Sequence, residues 1–324
     1  MNSEQQRFEV VVLDDYQHAL AELVDWSVLG DDVHVEFLHE HLPTADDVVA
    51  ALDTADCVVA NRERTAFPRE VLERLPRLRL LVTTGRRNAA IDMSACADLG
   101  IMVNHTGDAG RTTVEMTWAL ILAATRHIPT EVANMRAGGW MTTIGGDLRG
   151  ARLGVLGLGR LGAEVAAIGL AFGMEVVAWS HNLTAQRCEE VGVEYVGRDE
   201  LFSSSDVLSI HLVLSERTRG LVGEAELRSM KRTSLLVNTS RGPIVDEDAL
   251  IEAARHGWIG AAALDVYETE PLPAEHPLRT LDRVLPTPHL GYVTEQTLTA
   301  WYTNAVECIF AYRAGSPVRV LVPS

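Results

Sequence analysis

The chain has 324 residues, 47% hydrophobic and 23% charged, which is material for two packed domains of ordinary size. A formal net charge of −17 and a pI near 5.0 exclude the basic footprint that nucleic acid or an anionic membrane surface demands. Cys57, Cys96, Cys188 and Cys308 are scattered without a CxxC pair, which predicts reduced thiols in a cytoplasmic setting and no metal site. The N-terminal MNSEQQRFEV carries no basic-then-apolar signal, and the apolar runs are too short and interrupted to span a bilayer.

In chain order, the first hundred residues alternate short apolar runs with helical patterns. Strands are predicted at FEVVVLDD, VHVEFL, DCVVANR, LRLLVTT and IMVNHT. Between them lie helical stretches, with Thr44 and Asp92 where N-caps belong and Gly100 where a helix should stop. This alternation predicts a parallel sheet covered on both faces. One long helix is expected from about Arg111 to Ala137, then the loop GGWMTTIGGDLRG. A second βα series follows, with strands at RLGVLG, MEVVAWS, DVLSIHLV, SLLVNTS, IGAAALDV and RVLPTPH. A last helix is expected from about Thr294 to Ala314.

GLGRLG opens the second series. Gly157 permits a tight turn, Gly159 lets a pyrophosphate approach the backbone, and Gly162 lets the helix pack against the strand. The helix start, with Arg160 and Leu161, would offer N–H groups to the phosphates. The preceding apolar strand and the following small-residue helix give the turn the context of a dinucleotide site. At the ribose-reading position stand Ser180 and His181, followed by Asn182. An acid that would exclude NADP is missing, as is an immediate arginine that would attract it, so NAD is expected and NADP stays open.

Three later strands end in polar residues: Arg241 in NTSRGPIVDEDAL, Asp265 and Glu270 in ALDVYETEPLP, and His289 in TPHLGYVTEQT. Parallel sheets bind ligands beyond the carboxyl ends of their strands, so these loops should meet at the cofactor. An arginine, a carboxylate and a histidine suit hydride transfer to a 2-oxo acid. The arginine grips the substrate carboxylate, the histidine donates a proton to the carbonyl oxygen, and the glutamate holds the histidine charged and oriented.

The four motifs in this order resemble the D-isomer-specific 2-hydroxyacid dehydrogenases, and the resemblance covers nearly the whole chain. It implies two Rossmann-like or flavodoxin-like parallel-sheet domains of α/β class, with the cofactor domain inserted into the substrate domain. The substrate domain would be residues 1–104 and 291–324 and the NAD(P) domain residues 105–290, with crossings near His105 and Leu290. It implies Arg241, Glu270 and His289 as the catalytic set and Asp265 beside the nicotinamide. The expected cofactor contacts are Gly157, Gly159, Arg160, Leu161, Gly162, Ser180, His181, His211, Leu212, Thr239, Arg241, Asp265, His289 and Gly291. A two-fold dimer through the cofactor domains is implied, and the apolar residues Met116, Trp118, Leu120, Ile121 and Leu122 on one helix are its expected surface.

The chain departs from the family pattern at TTGRRNAAID, where Gly85, Arg86, Arg87 and Asn88 cover the loop that holds the substrate carboxylate. Neighbouring side chains in a tight turn cannot both point inwards, and Arg87 is expected to be the inward one, with Arg86 solvated. Two other readings remain open at this stage: a nucleotide-sensing co-repressor-like protein, and a phosphite-type dehydrogenase on the same fold.

Overall fold

The computed structural model describes residues 7–108 and 111–322. Its strands are β1 (Phe8–Val12), β2 (Val33–Phe37), β3 (Cys57–Ala60), β4 (Leu80–Thr83), β5 (Met102–His105), β6 (Arg152–Leu156), β7 (Glu175–Trp179), β8 (Glu194–Tyr195), β9 (Val207–Ile210), β10 (Leu235–Asn238), β11 (Ala261–Leu264), β12 (Val284–Pro286) and β13 (Val320–Leu321). They form two sheets, in the orders β13-β5-β4-β3-β1-β2 and β12-β11-β10-β9-β6-β7-β8. Every pairing is parallel except that of β13 with β5. The chain is therefore α/β, with one doubly wound sheet in each of two units.

The inner strands are apolar on both sides. Val10 and Val12 enter one core layer and Val11 and Leu13 the opposite one; Leu80 and Val82 are likewise split from Leu81. In the second sheet Leu235 and Val237 face one layer and Leu236 the other. Period-two alternation with apolar residues on both faces is the signature of a buried parallel sheet. Helices close each layer. The helix Glu295–Arg313, N-capped by Thr294, lays Leu298, Trp301, Tyr302, Ala305 and Ile309 onto the first sheet. Thr44 and Asp92 cap their helices as their positions predict, each worth about 1 kcal/mol.

The units divide as Met1–Gly110 with Tyr292–Ser324, and Arg111–Gly291. The divides fall later than the expected crossings at His105 and Leu290. His105 N donates to Arg319 O at 3.0 Å and Thr106 N to Thr83 O at 3.1 Å, which keeps the chain in the first sheet past residue 104. Gly291 N donates to Asp265 Oδ2 at 2.8 Å, which keeps that residue in the second unit.

The long helix expected over residues 111–137 is two helices, Thr112–Thr125 and Ile128–Arg136. Pro129 explains the break: it has no N–H to donate and its ring clashes with the carbonyl four residues back. His127 takes up the turn in the left-handed region, with φ 51°. The apolar surplus of the first helix is not a free face either. Trp118, Leu120 and Ile121 are buried in their own unit, Trp118 stacked on Phe172 at 4.9 Å, and Leu122 alone of the five is exposed. The exposed apolar side chains come later: Ile128, Val132, Met135, Trp140, Met141 and Ile144.

A left-handed residue with a Cβ is strained by roughly 1–2 kcal/mol, and glycine relieves most of this at the expense of a more flexible unfolded chain. His127→Gly should therefore stabilise the second unit by about 0.5–1 kcal/mol, read as a higher denaturant midpoint with an unchanged slope; a lower midpoint would show that the imidazole holds the corner.

Candidate active site

The glycine turn joins β6 to the helix Arg160–Ala171. Two of its glycines are demanded by the protein itself. Gly157 has φ 104°, and a Cβ on it would stand 2.8 Å from the His211 carbonyl oxygen. A Cβ on Gly162 would stand 2.0 Å from the Gly157 carbonyl oxygen. Gly159 is different, because a Cβ there would meet nothing within 4 Å. The space over the helix start is thus left open by a residue that packing does not require to be glycine, and that space fits a pyrophosphate.

The residues around the turn are tied to it. His211 N donates to Leu156 O at 2.8 Å, and its Nε2 meets Ser209 Oγ at 2.8 Å. Loss of solvent pulls the His211 imidazole down to about 4, so it is neutral at physiological pH. Leu212 packs its side chain near Gly157 and accepts the Ser240 hydroxyl on its carbonyl. Thr239 exchanges a 2.7 Å hydrogen bond with Thr117, so its hydroxyl is already engaged. Ser180 follows β7 half-buried and accepts Leu183 N–H on its carbonyl at 3.1 Å; His181 is exposed, its ring 5.1 Å from that of Trp179.

His289 and Glu270 meet. His289 Nδ1 lies 2.5 Å from Glu270 Oε2, and Glu270 Oε1 accepts the Tyr267 N–H at 2.9 Å. Both side chains are largely buried. Asp265, after β11, holds the loop that carries the histidine. Its Oδ1 accepts Thr287 Oγ1 and Leu290 N, both at 2.7 Å, and its Oδ2 accepts Gly291 N at 2.8 Å. Tyr267 Oη adds a donation to Thr287 O at 2.8 Å. Burial pushes the Asp265 carboxyl up, and these donors together with the nearby His289 pull it back. The clamp fixes residues 287–291 on either side of His289, which sits at φ 54°.

Arg241 starts the 3-10 turn Gly242–Ile244 after β10. Asn238 Nδ2 donates to the Arg241 carbonyl at 3.0 Å, and Arg241 Nη1 donates to Ser240 O at 2.8 Å. A Cβ on Gly242 would stand 2.0 Å from the Tyr267 carbonyl carbon. Glycine there lets the Arg241 turn rest directly on the segment whose N–H holds Glu270. Arg241, Glu270, His289 and Asp265 therefore share one end of the second sheet with the glycine turn.

In the first unit, the loop after β4 departs from expectation. Arg86 and Arg87 are both exposed, and Arg86 Nε pairs with Asp108 at 3.1 Å. The turn points both side chains outward because Gly85, at φ 82°, is covered by another cation: a Cβ on Gly85 would stand 2.1 Å from Arg62 Nη1. Gly85 N donates to Thr106 Oγ1 at 3.0 Å. Asn88 is buried and structural, its amide nitrogen donating to Arg62 O and to Thr83 Oγ1 and its Oδ1 accepting Ala90 N. Among the described residues no group of three His, Cys, Asp or Glu side chains is arranged to hold a metal ion.

Known proteins share this architecture. Residues 118–291 match the family described as D-isomer specific 2-hydroxyacid dehydrogenase, NAD binding domain. The chain is 43% identical to a glyoxylate reductase of Aeropyrum pernix over 76% of each protein. It is 37% identical to a D-3-phosphoglycerate dehydrogenase of Methanocaldococcus jannaschii over 82% of this chain, spanning 51% of that longer protein. A solved phosphoglycerate oxidoreductase from Vibrio cholerae superposes with a TM-score of 0.91 at 33% identity, covering 95% of this chain and 99% of that one. The chain belongs to the D-isomer-specific 2-hydroxyacid dehydrogenase family. This dehydrogenase thus uses NAD(H) in hydride transfer between 2-hydroxy and 2-oxo acids, and its second unit is the NAD-binding domain.

The motifs of the dehydrogenase did not point to Arg62 and Arg64, which follow β3 as Arg86 and Arg87 follow β4. The rule that singled out the later loops applies equally to DCVVANRER, and it was the available signal. Arg62 lies over the Trp301 ring and Arg64 over the Tyr292 ring, each at 5.9 Å.

Asp265 acts here through the loop it clamps. An asparagine in its place presents one acceptor where the native residue serves three donors, and each buried donor left unmatched costs about 1–3 kcal/mol. Asp265→Asn should lower kcat at least tenfold while the glycine turn, and with it NADH affinity by fluorescence titration, stays within threefold of wild type. Full kcat would show that Tyr267 alone orients the loop.

Proposed function

We propose that this dehydrogenase reduces a small 2-oxo acid to the D-2-hydroxy acid, with His289 as proton donor, Glu270 as its partner and Arg241 as the carboxylate-binding cation. The observation that carries the assignment is the 2.5 Å contact between His289 Nδ1 and Glu270 in the unit that holds the glycine turn. With Nδ1 committed to the carboxylate, Nε2 is the nitrogen that serves the substrate oxygen. Glu270 fixes the ring through Nδ1, so that Nε2 keeps one direction, while its own second oxygen is fixed by Tyr267 N–H. Arg241 offers a planar, permanently charged group to the substrate carboxylate, and Gly242 lets its turn lie against the Tyr267 backbone. Bound NADH supplies the hydride.

The glycine turn is assigned to the pyrophosphate through Gly159 and the N–H groups of Arg160, Leu161 and Gly162. Asp265 and Gly291 are assigned beside the nicotinamide; His211, Leu212 and Thr239 back the turn, and Ser180 and His181 face the ribose. The corner of half-buried Ser180 and exposed His181 bears no acid, so NADPH remains a usable cofactor beside NADH. In the first unit, Arg62 and the N–H groups of Arg86 and Arg87 are assigned to the substrate, in place of the engaged N–H of Gly85. The substrate role of this unit rests on its cations at strand ends, Arg62 and Arg64. A cytoplasmic setting suits the four free, buried cysteines, and no helix of the described residues is long and apolar enough to cross a membrane.

A homodimer is the assembly we assign, through the second unit. Trp140 is 68% and Ile144 94% exposed, and with Ile128, Met135 and Met141 they make an apolar run that a monomer would leave in water. The run is held in shape: Glu131 Oε1 accepts Thr142 N, Thr143 N and both hydroxyls at 2.6–3.1 Å, which holds its carboxyl down at about 2. An ordered apolar segment needs little further ordering on association.

His289→Asn removes the proton donor and should cut kcat with glyoxylate or pyruvate by about 10²–10⁴-fold while NADH binding by fluorescence is retained. More than a third of wild-type turnover would rule His289 out as the donor. For assembly, wild type should sediment as a dimer at micromolar concentration, and Ile144→Asp should shift it to monomer without changing its circular dichroism; a monomeric wild type ends the proposal.

A further inference from the structure

One peptide of the second unit links Arg241 to Glu270. The Arg241 turn rests on it, since a Cβ on Gly242 would stand 2.0 Å from the Tyr267 carbonyl carbon and 2.6 Å from Glu268 N. The N–H groups on either side of that carbonyl serve two different carboxylates. Tyr267 N donates to Glu270 Oε1 at 2.9 Å, and Glu268 N donates to Glu247 Oε2 at 3.2 Å. Glu270 meets His289, whereas Glu247 meets another imidazole: its Oε1 lies 3.1 Å from His276 Nε2, with each side chain only 19% exposed. The loop after β11 is therefore flanked by two carboxylate–imidazole pairs.

Hydrogen-bond direction separates the two pairs. His276 caps the 3-10 turn Pro277–Arg279, its Nδ1 accepting Leu278 N–H at 3.3 Å. A nitrogen that accepts carries no proton, so the proton of this ring is on Nε2, facing Glu247. Both nitrogens of His276 are thus engaged within the protein, which leaves none to exchange a proton with a substrate. Each end of the pair is anchored. Leu278 is buried in the core of the unit and fixes the turn that carries His276. Glu247 opens the helix Glu247–His256, whose cap Asp246 accepts Ala249 N at 3.0 Å, and a carboxylate in a first helical turn is favoured by the helix dipole.

We propose that Glu247 and His276 are positioning residues, which hold the Tyr267–Glu268 peptide and through it the direction in which Glu270 meets His289. The inference rests on the reductase reading above. His276 aims the Glu247 carboxylate, Glu247 holds Glu268 N–H, and the neighbouring Tyr267 N–H then reaches Glu270 from a fixed side. Arg241 has a separate anchor, Asn238 Nδ2 on its carbonyl at 3.0 Å. Loosening the peptide therefore falls on proton transfer rather than on the grip of the substrate carboxylate. A small misplacement of a reacting group can cost up to about a hundredfold in rate.

The test uses two replacements of His276 that each keep one of its nitrogens in kind. Asparagine carries an acceptor near the Nδ1 position for Leu278 N–H; glutamine reaches the Nε2 position with an amide N–H for Glu247. His276→Asn should lower kcat for glyoxylate reduction about tenfold, with glyoxylate KM and NADH affinity by fluorescence titration within about threefold of wild type. His276→Gln should keep kcat within about threefold of wild type while its denaturant midpoint falls, because it gives up the cap. A histidine that only caps the turn gives the opposite order of kcat, and that order, or equal kcat in the two variants, overturns the proposal. Should either variant fail to fold, Glu247→Gln decides with the cap intact. One amide oxygen cannot serve two N–H donors, so kcat should again fall about tenfold at nearly constant KM, and an unchanged kcat overturns the proposal. A wild type that reduces no 2-oxo acid overturns the reductase reading instead, and this proposal with it.

Discussion

A parallel strand with both faces buried can hand over to polar chemistry only at its ends. Val58, Val59, Leu80, Leu81, Leu236 and Val237 fill the body of the sheets with apolar side chains, and Ser209 within β9 spends its hydroxyl on His211. Parallel pairing then brings all the carboxyl ends to one edge, so residues far apart in sequence become neighbours. Asp265 after β11 reaches Leu290 and Gly291 after β12, and Asp14 after β1 reaches Thr65 after β3. Everything assigned to chemistry in this chain sits in one of these two rows of strand ends.

Within each row, position is enforced by backbone approach as much as by side-chain contact. Gly157 and Gly162 allow the turn and the helix to lie against each other, and Gly242 allows the Arg241 turn to lie against Tyr267. A methyl group at any of these would strike backbone atoms, which cannot swing aside as a side chain can. Gly159 shows the contrast, since the protein itself leaves its space open. A glycine that packing does not explain is a better pointer to a ligand than one that it does.

Charge is handled locally against an acidic background. The net charge of −17 would repel an anionic substrate at long range, so the cations that serve it have to lie close to where it binds. Arg62 and Arg64 rest on aromatic rings, which hold their planar groups in place, and Arg62 Nε also pairs with Glu63 at 3.6 Å. Arg86 and Arg87 lie out in solvent, where screening weakens whatever they contribute.

The sequence by itself determined the alternation of strand and helix, the two parallel sheets, the glycine turn and the placement of Arg241, Glu270 and His289 beyond strand ends, because period-two burial, caps and strand-end residues are local signals. It also contained the break at Pro129, a local signal outweighed by the apolar pattern that runs through it. The tertiary structure decided what depends on distance between segments. Pairing of β5 with β4 and β13 carried the chain past His105 before it left the first unit. Arg62, arriving from β3, took the place over Gly85 and left Arg86 and Arg87 outside, and Asn88 turned inward to tie the two loops. No spacing in the sequence foretells which of several nearby arginines covers a given loop, because that choice rests on which strand lies beside which and where each one ends.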